Sequence, residues 1–232
     1  MDFDRFDALT FDCYGTLIDW ETGLLTALRA VTSALDDDAL LEAFARHEAA
    51  LEAGPYLRYR DVLRGCLSAL GAELGFTPTA EQLEAFGGSV ADWPAFPDSA
   101  AALGRLKTRF KLGVITNCDD DLFAASNRRL GVAFDWVVTA EQARGYKPRT
   151  SNFEFAFARM DVPRSRVLHV AQSLFHDHVP AKALGLTTVW IDRRQGRAGG
   201  GATPPASAQP DLTTPDLATF AELATRSFGQ RG

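Results

Sequence analysis

The chain has 232 residues, 46% hydrophobic and 23% charged, with a net charge of −6 and a pI near 5.2. That length and apolar content can bury a full core, as one domain with a large insertion or as two small domains. The acidic balance, with its lysines and arginines dispersed, argues against a nucleic-acid partner or a polybasic membrane surface, while leaving room for a local arginine to hold a small anion. Three cysteines, Cys13, Cys66 and Cys118, are odd in number and lack C-x-x-C spacing, so neither a disulfide framework nor a zinc site is indicated. No basic-then-apolar leader is read at the start and no apolar segment reaches bilayer length, so the expectation is a cytoplasmic location.

A β-like run, Asp7 to Phe11, comes first and stops at Asp12 in "TFDCYGTLIDW". From Ile18 to about Trp93 strands disappear. Helical patterns cover Leu24 to Ala34, Ala39 to Leu51, Arg58 to Leu70 and Thr79 to Phe86, broken at Gly54-Pro55 and at Gly75 to Pro78. This stretch reads as a helical cap inserted after the first strand, with residues 18–95 in the cap and residues 1–17 and 96–232 in the core. Helix and strand then alternate. Helices are expected at Asp98 to Phe110, Asp120 to Leu130, Ser151 to Met160 and Asp177 to Leu184; strands at Leu112 to Thr116, Trp136 to Thr139, Val167 to Ala171 and Thr188 to Ile191. The alternation implies an α/β fold with a parallel sheet and right-handed crossovers. Arg197 to Pro210, "RAGGGATPPASAQP", reads as a surface loop without chemistry.

In open α/β sheets ligands bind beyond the carboxyl ends of the strands. The first strand delivers Asp12 there, with Gly15 permitting a tight turn and Thr16 offering a hydroxyl. The second ends in "ITNCDDD", bringing Thr116 and Asn117; "GYKPRTSNFEFAF" sets Lys147 before a proline and a helix; the fourth strand runs into "QSLFHDH" with Asp177. Singly, such residues are commonly helix caps or solvated charges. Their recurrence at successive strand ends points to a site, with Asp12 placed as a nucleophile.

This ordered set resembles the haloacid dehalogenase (HAD) superfamily over nearly the whole chain. The resemblance implies a Rossmann-like core and a covalent intermediate on Asp12. It also implies Thr116 as an oxyanion or carboxylate contact and Lys147 as the cation that neutralises the crowded carboxylates. Most such enzymes are magnesium-dependent phosphatases, carrying a second aspartate two residues after the nucleophile and a carboxylate in the fourth loop. Here those positions are Tyr14 and Gln172. Displacing halide from carbon needs neither a proton donor nor a metal, and D-x-Y-G-T is similar to the L-2-haloacid dehalogenase branch.

The resemblance therefore implies hydrolysis of small 2-haloalkanoic acids to 2-hydroxy acids with no metal or cofactor. Asp177, with Lys147, positions or activates water. The branch's halide-holding asparagine corresponds to Asn117. For its cap arginine Arg46 is favoured over Arg58 and Arg60, and Tyr14 and Phe175 are expected to wall the pocket. Phe153, Gln172 and Leu174 depart from the branch's tyrosine, serine and asparagine, leaving the hydrolytic step open. A small anionic substrate is expected, and a homodimer fits the branch's habit. The rival readings are a magnesium-dependent phosphatase acting on a small phosphoester and a catalytically silent scaffold.

Overall fold

The structure, a computed structural model, describes residues 1–195 and 202–226. Its sheet is wholly parallel, in the order β3-β2-β1-β4-β5-β6. The strands are β1 (Ala8–Phe11), β2 (Lys111–Thr116), β3 (Trp136–Thr139), β4 (Val167–Ala171), β5 (Thr187–Ile191) and β6 (Leu212–Thr214). β1 and β4 are buried along their whole lengths, as central parallel strands covered on both faces require. β6 was not expected from the sequence. Three residues, "LTT", carry too little pattern to announce a strand, and their pairing with β5 supplies what local propensity does not.

Four helices follow β1: α1 (Trp20–Arg29), α2 (Asp37–Ala53), α3 (Tyr59–Leu74) and α4 (Ala80–Gly88). Their starts are local. Asp19, Asp36 and Thr79 each accept a first-turn N–H, and Thr79 with Gln82 forms a reciprocal capping box. The chain leaves the sheet and returns at one place: Asp19 N–H donates to Pro94 O at 2.8 Å and Phe96 N–H to Leu17 O at 3.0 Å. Leu24, Phe44, Leu63 and Trp93 belong to the same apolar cluster as Leu9 and Phe11, so the core runs from the sheet layer into the insertion without a break.

α5 (Ser99–Lys107), α6 (Asp120–Leu130), α7 (Ala140–Ala143), α8 (Ser151–Phe157), α9 (Val179–Ala183) and α10 (Leu217–Thr225) complete the fold. The helix expected from Asp177 begins differently: Leu174–His178 is a wider π-type turn, and α9 starts only at Val179. Of the loop Arg197 to Pro210, residues 197–201 lie outside the described residues. Among the described residues no helix is long and apolar enough to cross a membrane.

Candidate active site

β1 ends beside β4, where Asp12 N–H still bonds Val170 O, and the chain then turns back sharply: Thr16, Leu17 and Ile18 all donate their N–H to Cys13 O. Gly15 has φ +91°, and a Cβ there would come within 3.0 Å of the Trp20 ring, so the turn demands glycine. The reversal returns the Thr16 hydroxyl to Asp12, donating to Oδ2 at 2.7 Å. Lys147 donates from one ammonium to Asp12 Oδ1 at 2.8 Å, Asp177 Oδ1 at 2.7 Å and Ile115 O at 2.8 Å. Asn117 clamps the Lys147 backbone from both sides, accepting its N–H at 2.8 Å and donating to its carbonyl at 3.0 Å. Asp177 is steadied further by His169, whose Nε2 lies 3.0 Å from Oδ1 while its Nδ1 meets the Thr10 hydroxyl.

Burial works against every charge in this cluster. For Asp177 the Lys147 ammonium and His169 outweigh it and hold the carboxyl well below the usual carboxylate range. For Lys147 burial is likewise overcome, by Asp12 and Asp177, and the ammonium is held more strongly than usual. Asp12 goes the other way: burial, seconded by the charge of Asp177, raises its carboxyl despite Lys147 and Thr16.

Asp12, Lys147 and Asp177 face a cavity of about 40 Å³, whose wall also includes Tyr14, Trp20, Asn117, Ser173 and His176. The side facing α2 and α3 is formed by Glu48, Glu52 and Tyr59. Several expected members stand elsewhere. Arg46 is on the outer face of α2, mostly exposed and paired with Glu73 at 2.9 Å. Arg58 pairs with Glu141 at 3.2 Å, and Arg60 with Asp119 at 3.2 Å and Asp121 at 2.6 Å; neither lines the cavity. Phe175 is also outside the wall, turned by the wide turn to pack edge-on against the His176 ring. Thr116 reaches the sheet edge but is fully buried, its hydroxyl without a partner and outside the cavity lining.

Glu48, Glu52, Tyr59 and His169 were not singled out from the sequence. The two glutamates had a signal: they continue the buried stripe of α2 through Leu41, Phe44 and Ala45, where a carboxyl is out of place. Thr203, from the loop after β5, lines the cavity as well. Phe153, at the position of the branch's tyrosine, is fully buried with its ring 5.0 Å from that of His169.

Comparison with known proteins gives this geometry its lineage. The (S)-2-haloacid dehalogenase 1 of Pseudomonas sp. (strain CBS-3) is 26% identical over 196 residues, 82% of this chain and 86% of that protein. The crystal structure of the L-2-haloacid dehalogenase PA0810 matches with a TM-score of 0.80 and 25% identity, covering 94% of this chain and 99% of its own. The pyrimidine 5'-nucleotidase YjjG of Escherichia coli (strain K12) is 29% identical over 145 residues, 57% of this chain and 64% of that protein. Identity alone thus does not separate carbon–halogen from phosphoester chemistry. The family profile spans residues 6–183, from the strand that delivers Asp12 through the turn that delivers Asp177, and with it the chain belongs to the haloacid dehalogenase-like hydrolases.

Proposed function

We propose that this hydrolase cleaves the carbon–halogen bond of small 2-haloalkanoic acids, giving 2-hydroxy acids through an ester on Asp12 and without a metal ion. The observation that carries the reading is the single Lys147 ammonium shared between Asp12 Oδ1 and Asp177 Oδ1. Magnesium-dependent relatives would need that space for a hard cation among anionic oxygens. These residues do not fit one. Gln172 brings no charge and lines a different cavity, beside Gly15 and Arg193. Tyr14, at the position of the phosphatase acid, meets the Ser126 hydroxyl at 3.0 Å, and burial raises its phenol well above the usual range.

In the proposed sequence a carboxylate oxygen of Asp12 attacks the halogen-bearing carbon from the side opposite the halide, inverting it and forming the ester. Water then attacks the ester carbonyl. The oxygen that becomes negative is still within reach of Lys147 or the Thr16 hydroxyl, which serve as its oxyanion donors. Asp177 Oδ2, buried and without a protein partner, is the acceptor available to orient that water. The small cavity suits a substrate of few heavy atoms.

A single turnover in heavy-oxygen water, with enzyme in excess and chelator present, tests the reading. The label is expected in the peptide carrying Asp12 and not in the first product. Label in the product alone would remove the ester intermediate, and turnover that depends on added magnesium would return the chain to phosphoester chemistry.

A further inference from the structure

Glu48 and Glu52 stand one helical turn apart on the buried face of α2, 4% and 7% exposed. The Tyr59 hydroxyl donates to Glu48 Oε1 at 2.7 Å. Asn117 Nδ2 donates to Glu52 Oε2 at 3.3 Å, and its orientation is fixed because its Oδ1 accepts the Lys147 N–H. Glu52 Oε2 is therefore an acceptor. Oε1 has no hydrogen-bond partner among the described residues, and the side chain lines the cavity that Asp12 faces.

The groups around Glu52 come from every element packed there: Glu48 from α2, Tyr59 from α3, Asn117 after β2, Lys147 before α8 and His176 after β4. His176 Nε2 is 4.0 Å from Glu52 Oε2, and Asp12 and Asp177 complete the cavity. His176 is neutral, burial having lowered its imidazole to about 4. Lys147 is the one cation in the described lining, and it is already bonded to two aspartates. An ionised Glu52 would have no counter-charge of its own. Burial, with Glu48 beside it, holds its carboxyl well above the usual range, which favours the protonated form.

Glu48 and Glu52 of α2 line the cavity that Asp12 faces, and an in-line attack from Asp12 sends the leaving group away from the sheet edge into that cavity. We propose that Glu52 donates a hydrogen bond from its Oε1–H to that leaving group, so that release of fluoride, far more than of chloride or bromide, depends on this donor. This rests on the dehalogenase reading. As the Asp12 O–C bond forms, the C–F bond breaks and fluoride takes its electron pair, leaving as the anion with the Glu52 Oε1–H hydrogen bond on it; Glu52 keeps its proton. Hydrolysis of the ester then restores the Asp12 carboxylate and releases one proton, so the turnover as a whole gives hydroxy acid, fluoride and a proton. Fluoride, the most basic and compact of the three halides, accepts a hydrogen bond far more strongly than chloride or bromide, so only fluoride gains much from this donor.

Halide release from fluoroacetate, chloroacetate and bromoacetate by wild-type enzyme and by Glu52→Met, each across pH, tests the proposal. Wild-type fluoride release should fall as pH rises through the Glu52 pKa, a limb that bromide release lacks. Glu52→Met, which has no donor, should lower fluoride release by about 100-fold, with bromide release lowered far less in the same preparation. Bromide release without fluoride release in wild type would overturn the donor role and leave the dehalogenase reading standing. Parallel wild-type pH profiles would also overturn it, as would an equal rise in KM for all three substrates in the variant, which would mark Glu52 as a carboxylate contact. No halide release from any of them would overturn the dehalogenase reading itself, and this inference with it.

Discussion

Lys147 is fully buried and gives one ammonium to two carboxylates, so its loss would leave Asp12 and Asp177 facing each other without a cation. Lys147→Ala should cost about 3–5 kcal/mol, the usual penalty for breaking a buried ion pair from one side. Halide release should be lost in the same variant. Denaturant unfolding and halide assays check both, and an unchanged midpoint would mean that the two carboxylates share a proton in place of the cation. Lys147→Arg should not restore turnover, because a planar guanidinium cannot place one nitrogen against three acceptors in that space. Asp12, Lys147 and Asp177 were legible in the sequence because each directly follows, or leads into, a regular element whose position in a parallel sheet is fixed by alternation. Glu52 was not, because its meaning depends on what stands across the cavity from it.

At the scale of one element, α2 shows how a motif and a helical face can disagree. Successive residues advance about 100° around a helix, so Arg46 and Glu48, two apart, project about 200° from one another. If one lines the cavity, the other cannot. The buried stripe of Leu41, Phe44, Ala45, Glu48 and Glu52 decides the matter for the glutamates and leaves Arg46 to pair with Glu73 outside. Arg46→Ala should therefore leave kcat, KM and thermal stability near wild type, since an exposed ion pair contributes little. A rise in KM of about tenfold or more, equivalent to about 1.4 kcal/mol of binding, would show that the arginine reaches the substrate after all. The turn after β4 is a second case. A helix continuing from Asp177 was the expectation, but the extra residue in the π-type turn buries Asp177 and His178 while moving Phe175 out of the wall.

For the molecule as a whole, the buried acids tie stability to pH. Burial raises the Glu48 carboxyl to about 7, against the Tyr59 hydrogen bond that favours its charge. A group raised above its unfolded value of 4.5 binds its proton more tightly in the folded state, so its stabilising contribution is present below that value and is lost as pH rises through about 7. Unfolding measured from about pH 5 to about pH 8 should show wild type losing more stability than Glu48→Gln over that window. Equal losses would show that Glu48 does not titrate in the folded protein. The sequence by itself determined the alternating strands and helices, the helical insertion after β1 and the carboxylates and lysine at the strand ends. These are local patterns of period and turn chemistry, and a parallel sheet converts them directly into places on one edge. Tertiary structure decided which face of α2 meets that edge, that Thr203 joins the wall and that β6 exists at all. Each of these depends on contacts between residues far apart in the chain, which determine how a helix is rotated and what a short segment pairs with, and no local pattern encodes them.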